Sequence, residues 1–227
     1  MSYESADLLS RAKRLAQRPS SDEEMSDADW YALLTDAQRY YHGLVALHAP
    51  YVLMGAPVLL TSSDGGATYD FAAGVFPLAV EVYDSPTGRL LRPGTYWDTN
   101  GDYVWEGNKI RIPRGATRSY AGGPYARYVA QAGDLTAATE PTLTPPHARM
   151  LFVYRAVADW ARQGGYRNPG PFETMEQRLW SGTPATGDIG FLGFYKSQNP
   201  FYGATAISAQ GGTSFTTLST IDGYTAI

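Results

Sequence analysis

The chain has 227 residues, of which 44% are hydrophobic and 18% are charged, so it is long enough to bury a core in one large domain or two small ones. A net charge of −4 and the lack of a Lys/Arg run disfavour tight binding to nucleic acid, whose phosphates require a basic patch. The absence of cysteine excludes disulfides, thiolate nucleophiles and cysteine zinc sites.

Targeting signals are not evident in the sequence. No stretch approaches the roughly 18 apolar residues of a membrane span, and the first residues lack the apolar core of a signal peptide. We therefore expect a protein that is made in the cytoplasm and does not enter a membrane.

Two helices are predicted near the start of the chain. Apolar residues recur at helical spacing over 5–17, and Pro19 ends this run. A second run over 26–48 begins with Ser26 three residues before Asp29, an arrangement typical of a capping box. The apolar stripe of this second helix contains Trp30, Leu33, Leu34, Ala37, Tyr41, Leu44, Val45 and His48.

Short apolar runs separated by turn residues predict antiparallel strands over 51–130. Asp-Gly at 64–65 and Asn-Gly at 100–101 are hairpin signals, and the second would place Tyr96 opposite Trp105. We expect the strands to form a sandwich or a small barrel. They are predicted at 58–61, 68–71, 79–83, 89–91, 95–98, 102–105, 109–112 and 125–130.

Two further helices are predicted after the strands. Thr144 and Pro145 fit the N-cap and first position of a helix over 145–164, because proline at the first position loses no hydrogen bond. Leu151, Tyr154 and Ala158 belong to its apolar face. A shorter helix is predicted over 172–180, and Gly and Pro are frequent beyond it.

The predicted fold class is α+β, with a helical bundle and an inserted antiparallel β module. Residues 1–50 and 144–181 would form a bundle of about four helices, and 51–130 the β module. Residues 182–227 are predicted to be a Gly/Pro-rich linker followed by an extended C-terminal arm.

The arm carries an apolar residue at every third position, a spacing that fits neither a strand nor an α-helix. It is typical of a polyproline-like strap that presents one face to a partner. Residues 204–227 contain one charged side chain, Asp222. Two interpretations of the arm are open: it docks on another chain, which we favour, or it folds onto its own β region. The apolar row consists of Phe215, Leu218, Ile221, Tyr224 and Ile227.

Metal and phosphate sites receive little support. His42 and His48 are six residues apart and would point to different faces of one helix, and His147 stands alone. Asp98, Asn100 and Asp102 imitate the start of a calcium loop, but the loop's glycine and final glutamate are replaced by Tyr103 and Lys109. Gly187-x-x-Gly190-x-x-Gly193 is not a phosphate-binding spacing. We expect no metal and no cofactor.

The alternative function indicated by the residues is carbohydrate binding at the predicted hairpin over 95–105. Aromatic rings could stack on sugars, and paired carboxylates could act in hydrolysis, although cross-strand aromatics and acidic turns are also ordinary features of sheets. The candidate rings are Tyr96, Trp97, Tyr103 and Trp105, and the candidate carboxylates are Asp98, Asp102 and Glu106. With no thiol and three histidines, we expect no enzyme activity.

The order of the elements resembles that of the head-to-tail adaptor proteins of tailed bacteriophages, also called connector, neck or head-completion proteins. The resemblance covers roughly 8–203. It rests on a long helix with Trp30-x-x-Leu33-Leu34-x-x-Ala37-Gln38-Arg39, a β insertion with Trp97, Tyr103, Gly107 and Ile110, and a returning helix with Leu151-x-x-Tyr154-Arg155-Ala156.

This resemblance implies a structural virion protein at the head–tail junction. The helical parts would form a homo-oligomeric ring, commonly of twelve copies, below the portal protein, and the β module would face the tail or a second neck protein. Passing DNA would make transient, non-specific contacts. Two helices, over 26–48 and 145–164, would pack together and against neighbouring copies, and the arm would dock on the portal or on a neighbouring copy.

Overall fold

The chain forms two units, which we call the helical unit (Met1–Val52 and Ala132–Ile227) and the sheet unit (Leu53–Gln131). The structure is a computed structural model. It describes residues 3–17, 25–62, 68–71, 77–94, 101–106, 109–112, 123–164, 167–198, 207–208 and 214–215. Helices dominate one unit and antiparallel and mixed sheets the other, so the α+β class is confirmed.

Five helices occur in the described part of the helical unit. The predicted capping box of the second helix is present: Ser26 Oγ accepts the Asp29 N–H at 3.2 Å, and Asp29 Oδ2 accepts the Ser26 N–H at 2.9 Å. It fixes the start of the longest helix from local sequence alone. The helices are α1 (Ser5–Leu15), α2 (Asp27–His48), α3 (Met150–Gln163), α4 (Gly170–Ser181) and α5 (Gly190–Gln198).

The core of the helical unit lies where α3 packs against α1, α2 and α4. Trp30 of α2 lies 5.7 Å from Trp160 of α3 between ring centroids, and both side chains are buried. Small residues on α3 allow this close approach, because alanine leaves room for neighbouring large side chains. The fully buried alanines of α3 are Ala156, Ala158 and Ala161.

Residues 132–144 return to the helical unit without regular secondary structure, and buried side chains pair their backbone groups. The amide of Gln38, 1% exposed, donates to the Gly133 carbonyl and accepts the Thr142 N–H, both at 3.0 Å. Thr35 Oγ1 accepts the Leu135 N–H at 2.9 Å. Helix α2 therefore holds the returning segment at several points.

Arg149 and Tyr195 hold the end of the same segment. Arg149 donates to the Leu143 carbonyl at 2.8 Å, and the Tyr195 hydroxyl donates to the Thr144 carbonyl at 2.6 Å. The predicted helix start at Thr144 is wrong. A 3-10 turn, Pro146–Arg149, precedes α3, and Pro145 occupies the N-cap position without a side-chain cap. The hydrogen bonds from Arg149 and Tyr195 fix the backbone before this turn, and the local preference of Thr144 and Pro145 for a helix start does not.

Helix α5 corrects the prediction of a linker from residue 182. Phe191 and Tyr195 are four residues apart, lie on one face of the helix and are buried. Gly182 and Gly190 connect α4 to α5 at positive φ, +77° and +58°, where side chains other than glycine are disfavoured. Glycines that resembled linker residues therefore form a tight connection between two packed helices.

The sheet unit contains two sheets whose side chains share one apolar core. One sheet has the order β1-β8-β4 and is antiparallel, and the other has the order β2-β3-β7-β6-β5. Ile110 and Ile112 both face the core, as the alternation predicted. The strands are β1 (Val58–Leu59), β2 (Thr61–Ser62), β3 (Thr68–Asp70), β4 (Pro77–Tyr83), β5 (Pro93–Gly94), β6 (Tyr103–Glu106), β7 (Lys109–Arg111) and β8 (Tyr125–Ala130).

Turn signals predicted the local pairings with mixed success. Strand β2 pairs antiparallel with β3 across 63–67, in agreement with the Asp-Gly signal, although the turn lies outside the described residues. The predicted pairing of 95–98 with 102–105 also falls on residues that are not described. The described neighbours of β6 are β7, which places Ile110 opposite Trp105, and β5, which runs parallel and pairs Pro93 with Tyr103.

We predict that Gln38→Leu lowers the free energy of unfolding by about 1–3 kcal/mol, because it removes the hydrogen bonds from the buried Gln38 amide to the Gly133 carbonyl and the Thr142 N–H, each worth about 0.5–1.5 kcal/mol. The matched control is Arg39→Leu, which removes an ion pair to Asp134 of the same segment between side chains 41% and 72% exposed. Its expected cost is about 0–1 kcal/mol. Urea denaturation measures both, and equal costs for the two variants would contradict the role of Gln38.

We predict that Gly190→Ala destabilises the α4–α5 connection more than Gly187→Ala. Both glycines have positive φ, but a Cβ at Gly190 would lie 2.3 Å from the Gly182 backbone nitrogen, whereas nothing lies within 4 Å at Gly187. The conformational cost alone is about 1–2 kcal/mol, and the clash adds to it only at Gly190. Urea denaturation of the two variants should differ by more than about 1 kcal/mol. Similar values would show that the close approach is unimportant.

Candidate interaction surfaces

The residues predicted to pack the bundle are mostly used inside the helical unit. Six are buried and three are half-buried, so most are not available to a neighbouring copy. The buried ones are Trp30, Leu34, Ala37, Tyr41, Leu151 and Ala158, and the half-buried ones are Leu33, Leu44 and Tyr154.

A polar cluster joins α2, α3 and α4. Glu176 accepts the Tyr41 hydroxyl at 2.5 Å and the Arg155 guanidinium at 3.1 Å, and Arg155 lies 3.7 Å above the Tyr40 ring. Burial, together with the Glu176 carboxylate, raises the pKa of Tyr41 far above its ordinary value. Because every member has a partner, this cluster is a structural link between helices rather than a set of free acid–base groups.

An apolar cleft of about 470 Å³ lies at the C-terminal end of α4 and the first turns of α5. Phe194, 37% exposed, lines it, and Ile189, 61% exposed, lies between two lining residues. The sequence analysis did not identify these residues, although the helical spacing of Phe191, Phe194 and Tyr195 was a signal. We call this the α5 cleft. Its lining residues are Pro145, His147, Arg178, Leu179, Asp188, Gly190, Phe191 and Phe194.

At the polar rim of the α5 cleft, Arg178 is a cation for which the described residues supply no partner. Arg178 is exposed, and among the described residues its guanidinium has no hydrogen bond or ion pair. Asp188 instead accepts the Gly190 N–H at 3.0 Å, and the His147 ring contacts Phe191 with 5.1 Å between centroids. Arg178 is therefore available to an anionic group of a bound partner.

A second recess of about 500 Å³, which we call the α2 recess, follows the outer side of α2. Exposed alanines, Ala28 and Ala32, leave space there, and the Arg39–Asp134 ion pair lies at its border. Small side chains permit close approach of another helix. The α2 recess differs from the α5 cleft in both shape and chemistry.

The predicted arm residues lie largely outside the described part of the chain. Phe215 belongs to β10 (Ser214–Phe215), which pairs antiparallel with β9 (Ile207–Ser208). At Phe215 the polyproline-like prediction is therefore wrong, because the backbone pairs in a strand. The other members of the row, Leu218, Ile221, Tyr224 and Ile227, are not described.

The aromatic residues proposed for sugar binding are used mainly inside the sheet unit. Tyr103 is 3% exposed, and burial beside the Glu81 carboxylate raises the pKa of its hydroxyl to about 12. Trp105 is 39% exposed, but Phe71 stacks on it with 5.8 Å between centroids. Tyr96 and Trp97 lie outside the described residues.

The candidate carboxylates of the sheet unit form ion pairs. Both oxygens of Asp102 accept from Arg89, at 2.9 and 3.0 Å, and Glu106 accepts from Arg111 at 2.8 Å. Asp98 and Asn100 are not described. Over the described residues, no group of three or more His, Asp or Glu side chains could hold a metal ion.

The three histidines occupy separate environments. The Nδ1 atom of His42 lies 3.1 Å from Thr142 Oγ1 in the returning segment 132–144, and His147 lines the α5 cleft. Burial, assisted by the charge of Lys196, lowers the pKa of His48. They are not brought together.

The sheet unit has a recess of its own, with a volume of about 610 Å³. Arg127 lines it and is already engaged, since it donates to the Gly55 carbonyl at 3.1 Å and lies 3.8 Å from Glu81. The described residues that line this recess include no pair of free acid–base side chains.

Comparisons with known proteins give no family assignment: no family model matches the chain, and no curated protein matches it. None of the helices described has the length and apolar character required to cross a membrane. The interaction surfaces must therefore be interpreted from their own chemistry.

We predict that the ion pair of Asp102 stabilises the sheet unit at neutral pH and loses this effect in acid. Burial acts to raise the pKa of Asp102, but the Arg92 N–H and the Arg89 guanidinium outweigh it, and the pKa is lowered. Stability from such a group is present above the unfolded-state pKa, about 3.9, and is lost as pH falls through the lower folded-state pKa.

Asp102→Asn should therefore destabilise the protein at pH 7, and the difference from the parent chain should shrink progressively below about pH 4. Urea denaturation followed by tryptophan fluorescence between pH 3 and pH 7 measures it. A difference that does not change with pH would contradict the ion pair as its cause.

Proposed function

We propose that this chain is a structural subunit of the ring that joins the portal and the tail of a tailed bacteriophage. It would be made in the host cytoplasm and become part of the virion at the head–tail junction. The ring, of twelve copies in the proteins it resembles, would bind the portal on one side and the tail or a second neck protein on the other.

The observation that carries this proposal is the group of exposed apolar side chains on α4, α5 and their connection. Met175, Ile189 and Phe194 are 45%, 61% and 37% exposed, and the α5 cleft lies between these two helices. Grouped exposed apolar side chains are typical of protein contact surfaces. The helical unit thus offers surface that a partner would bury.

Ring formation requires two different and complementary surfaces on each copy, since head-to-tail contacts close by rotation. The α5 cleft and the α2 recess are two different open surfaces, one lined by Phe191, Phe194 and Leu179 and the other by Ala28, Ala32, Tyr31 and the Arg39–Asp134 pair. Because both are concave, they would not bind each other, and each would receive a different projecting part of a neighbouring copy.

The charge of the chain suits a passage for DNA. Basic walls would retain phosphates through the release of counterions, whereas a net charge of −4 per copy disfavours such retention. Contact with passing DNA would therefore be transient and non-specific.

The arm would anchor the ring, because its apolar row offers side chains that a partner surface could bury. We predict that Ile221→Ser combined with Tyr224→Ser strongly reduces incorporation of the chain into particles. Burial of an apolar side chain contributes about 1.5–3 kcal/mol, so loss of two should weaken the anchor at least about hundredfold. The gene is supplied in trans to a phage that lacks it, and tailed particles are counted by electron microscopy and infectivity.

The matched control for this experiment is Thr220→Ala combined with Thr225→Ala, which changes arm residues outside the row. It should support normal particle assembly. Normal neck incorporation of the row variant would exclude the anchor, and normal particles without any copy of this chain would exclude the adaptor function itself.

A further inference from the structure

We propose that the α5 cleft of one copy binds the apolar row of the arm from a second copy, with Arg178 paired to Asp222. This inference rests on the proposed ring and identifies one of its contacts. It assigns the arm to a neighbouring copy rather than to the portal.

The shape and polarity of the cleft suit apolar side chains presented at intervals. Phe191, Phe194 and Leu179 line a volume of about 470 Å³, enough for several aliphatic side chains or an aromatic ring. Because Phe194 and Ile189 remain partly exposed, an apolar segment laid along them would remove them from water. Leu218, Ile221 and Tyr224 of the arm recur at every third position and would insert from one side of an extended segment.

Charge complementarity favours this occupant. Arg178 lines the cleft and has no ion-pair partner among the described residues. Residues 204–227 contain a single charged side chain, Asp222, which directly follows Ile221. Insertion of Ile221 would bring this carboxylate to the rim, where Arg178 can pair with it.

The length of chain after α5 permits contact with another copy. Eight residues separate Gln198 from β9, and six more lead from β10 to Ile221. Fully extended, these 14 residues span at most about 46–50 Å. The cleft of the same copy lies roughly 13 Å from Gln198, the length of α5 itself. The tether therefore reaches the cleft of its own copy and extends well beyond it, and cross-linking between two different variants separates these two placements.

Cross-linking can test the contact cleanly because the chain has no cysteine. Two full-length single variants, Phe194→Cys and Ile221→Cys with an affinity tag on one, are mixed and oxidised. A disulfide forms only when Cα atoms approach to about 4.4–6.8 Å, and in this mixture a heterodimer requires contact between copies. We expect a heterodimer that disappears on reduction, both at about 100 μM and in particles assembled with the two variants.

The matched control replaces Phe194→Cys by Ala6→Cys. Ala6 is exposed on α1 and lines neither the α5 cleft nor the α2 recess. Cross-linking at Phe194 should be at least about tenfold faster than at this control position. Leu218→Cys and Tyr224→Cys, each used in place of Ile221→Cys, test whether a neighbouring residue of the row lies at Phe194 instead.

Charge reversal provides a second readout. Arg178→Asp should slow the cross-linking severalfold, in keeping with a partly exposed ion pair, and adding Asp222→Arg on the other chain should restore it. If Asp222→Arg restores the cross-linking rate of the Arg178→Asp variant, the pairing of Arg178 with Asp222 is supported. If the rate stays low when both substitutions are present, that pair is overturned.

The remaining outcomes also decide the proposal. Cross-linking of a Phe194→Cys/Ile221→Cys double variant only within one chain would show that the arm binds its own cleft. No cross-link at any of the three arm positions, in solution or in particles, would remove the cleft as the binding site. If such particles still carry the chain at the neck, only this inference fails and the adaptor function stands.

Discussion

The helical unit depends on the hydrogen bonds that hold residues 132–144 against α2, the 3-10 turn before α3, and α5. The chain leaves this unit at Val52 and returns at Ala132, and the returning segment has no strand or helix partner for its backbone. Gln38 supplies a donor and an acceptor from one buried amide, and Thr35, Arg149, Tyr195 and Ser5 pair further backbone groups of the segment. Unpaired buried backbone groups are costly, so these side chains decide where the segment lies and how α3 can begin.

Features encoded by neighbouring residues could be predicted from the sequence. Ser26 and Asp29 determine the start of α2 through two hydrogen bonds between residues three apart, and the 3.6-residue spacing identified the buried faces of α2 and α3. The structure that follows Thr144 could not be predicted from local sequence, because the Thr144 carbonyl accepts a hydrogen bond from the hydroxyl of Tyr195, 51 residues away. Helix α5 was missed because its apolar residues are separated by glycines, whose positions at Gly182 and Gly190 reflect a close backbone contact rather than a flexible linker.

The strands illustrate the same division between local and distant causes. The strands predicted at 79–83 and 89–91 flank a turn-rich connection, and the structure brings their ends together, since Tyr83 bridges Leu90 and Leu91 N–H donates to the Val82 carbonyl. The parallel pairing of β5 with β6 carries no turn signal and depends on contacts across the sheet. Likewise, sequence placed Asp102 among possible ligands, whereas Arg89, 13 residues earlier, occupies both of its oxygens.

The surfaces left uncovered support a protein that completes its burial in an assembly. In the described part of the chain the buried polar and aromatic groups mostly serve the two cores, while the α5 cleft and α2 recess remain open. The central claim is the proposed adaptor function, and electron cryomicroscopy of the particles produced by the genome that carries this chain tests it most directly. We predict a closed ring of copies between the portal and the tail. A resolved neck that contains no copy of this chain would contradict the account.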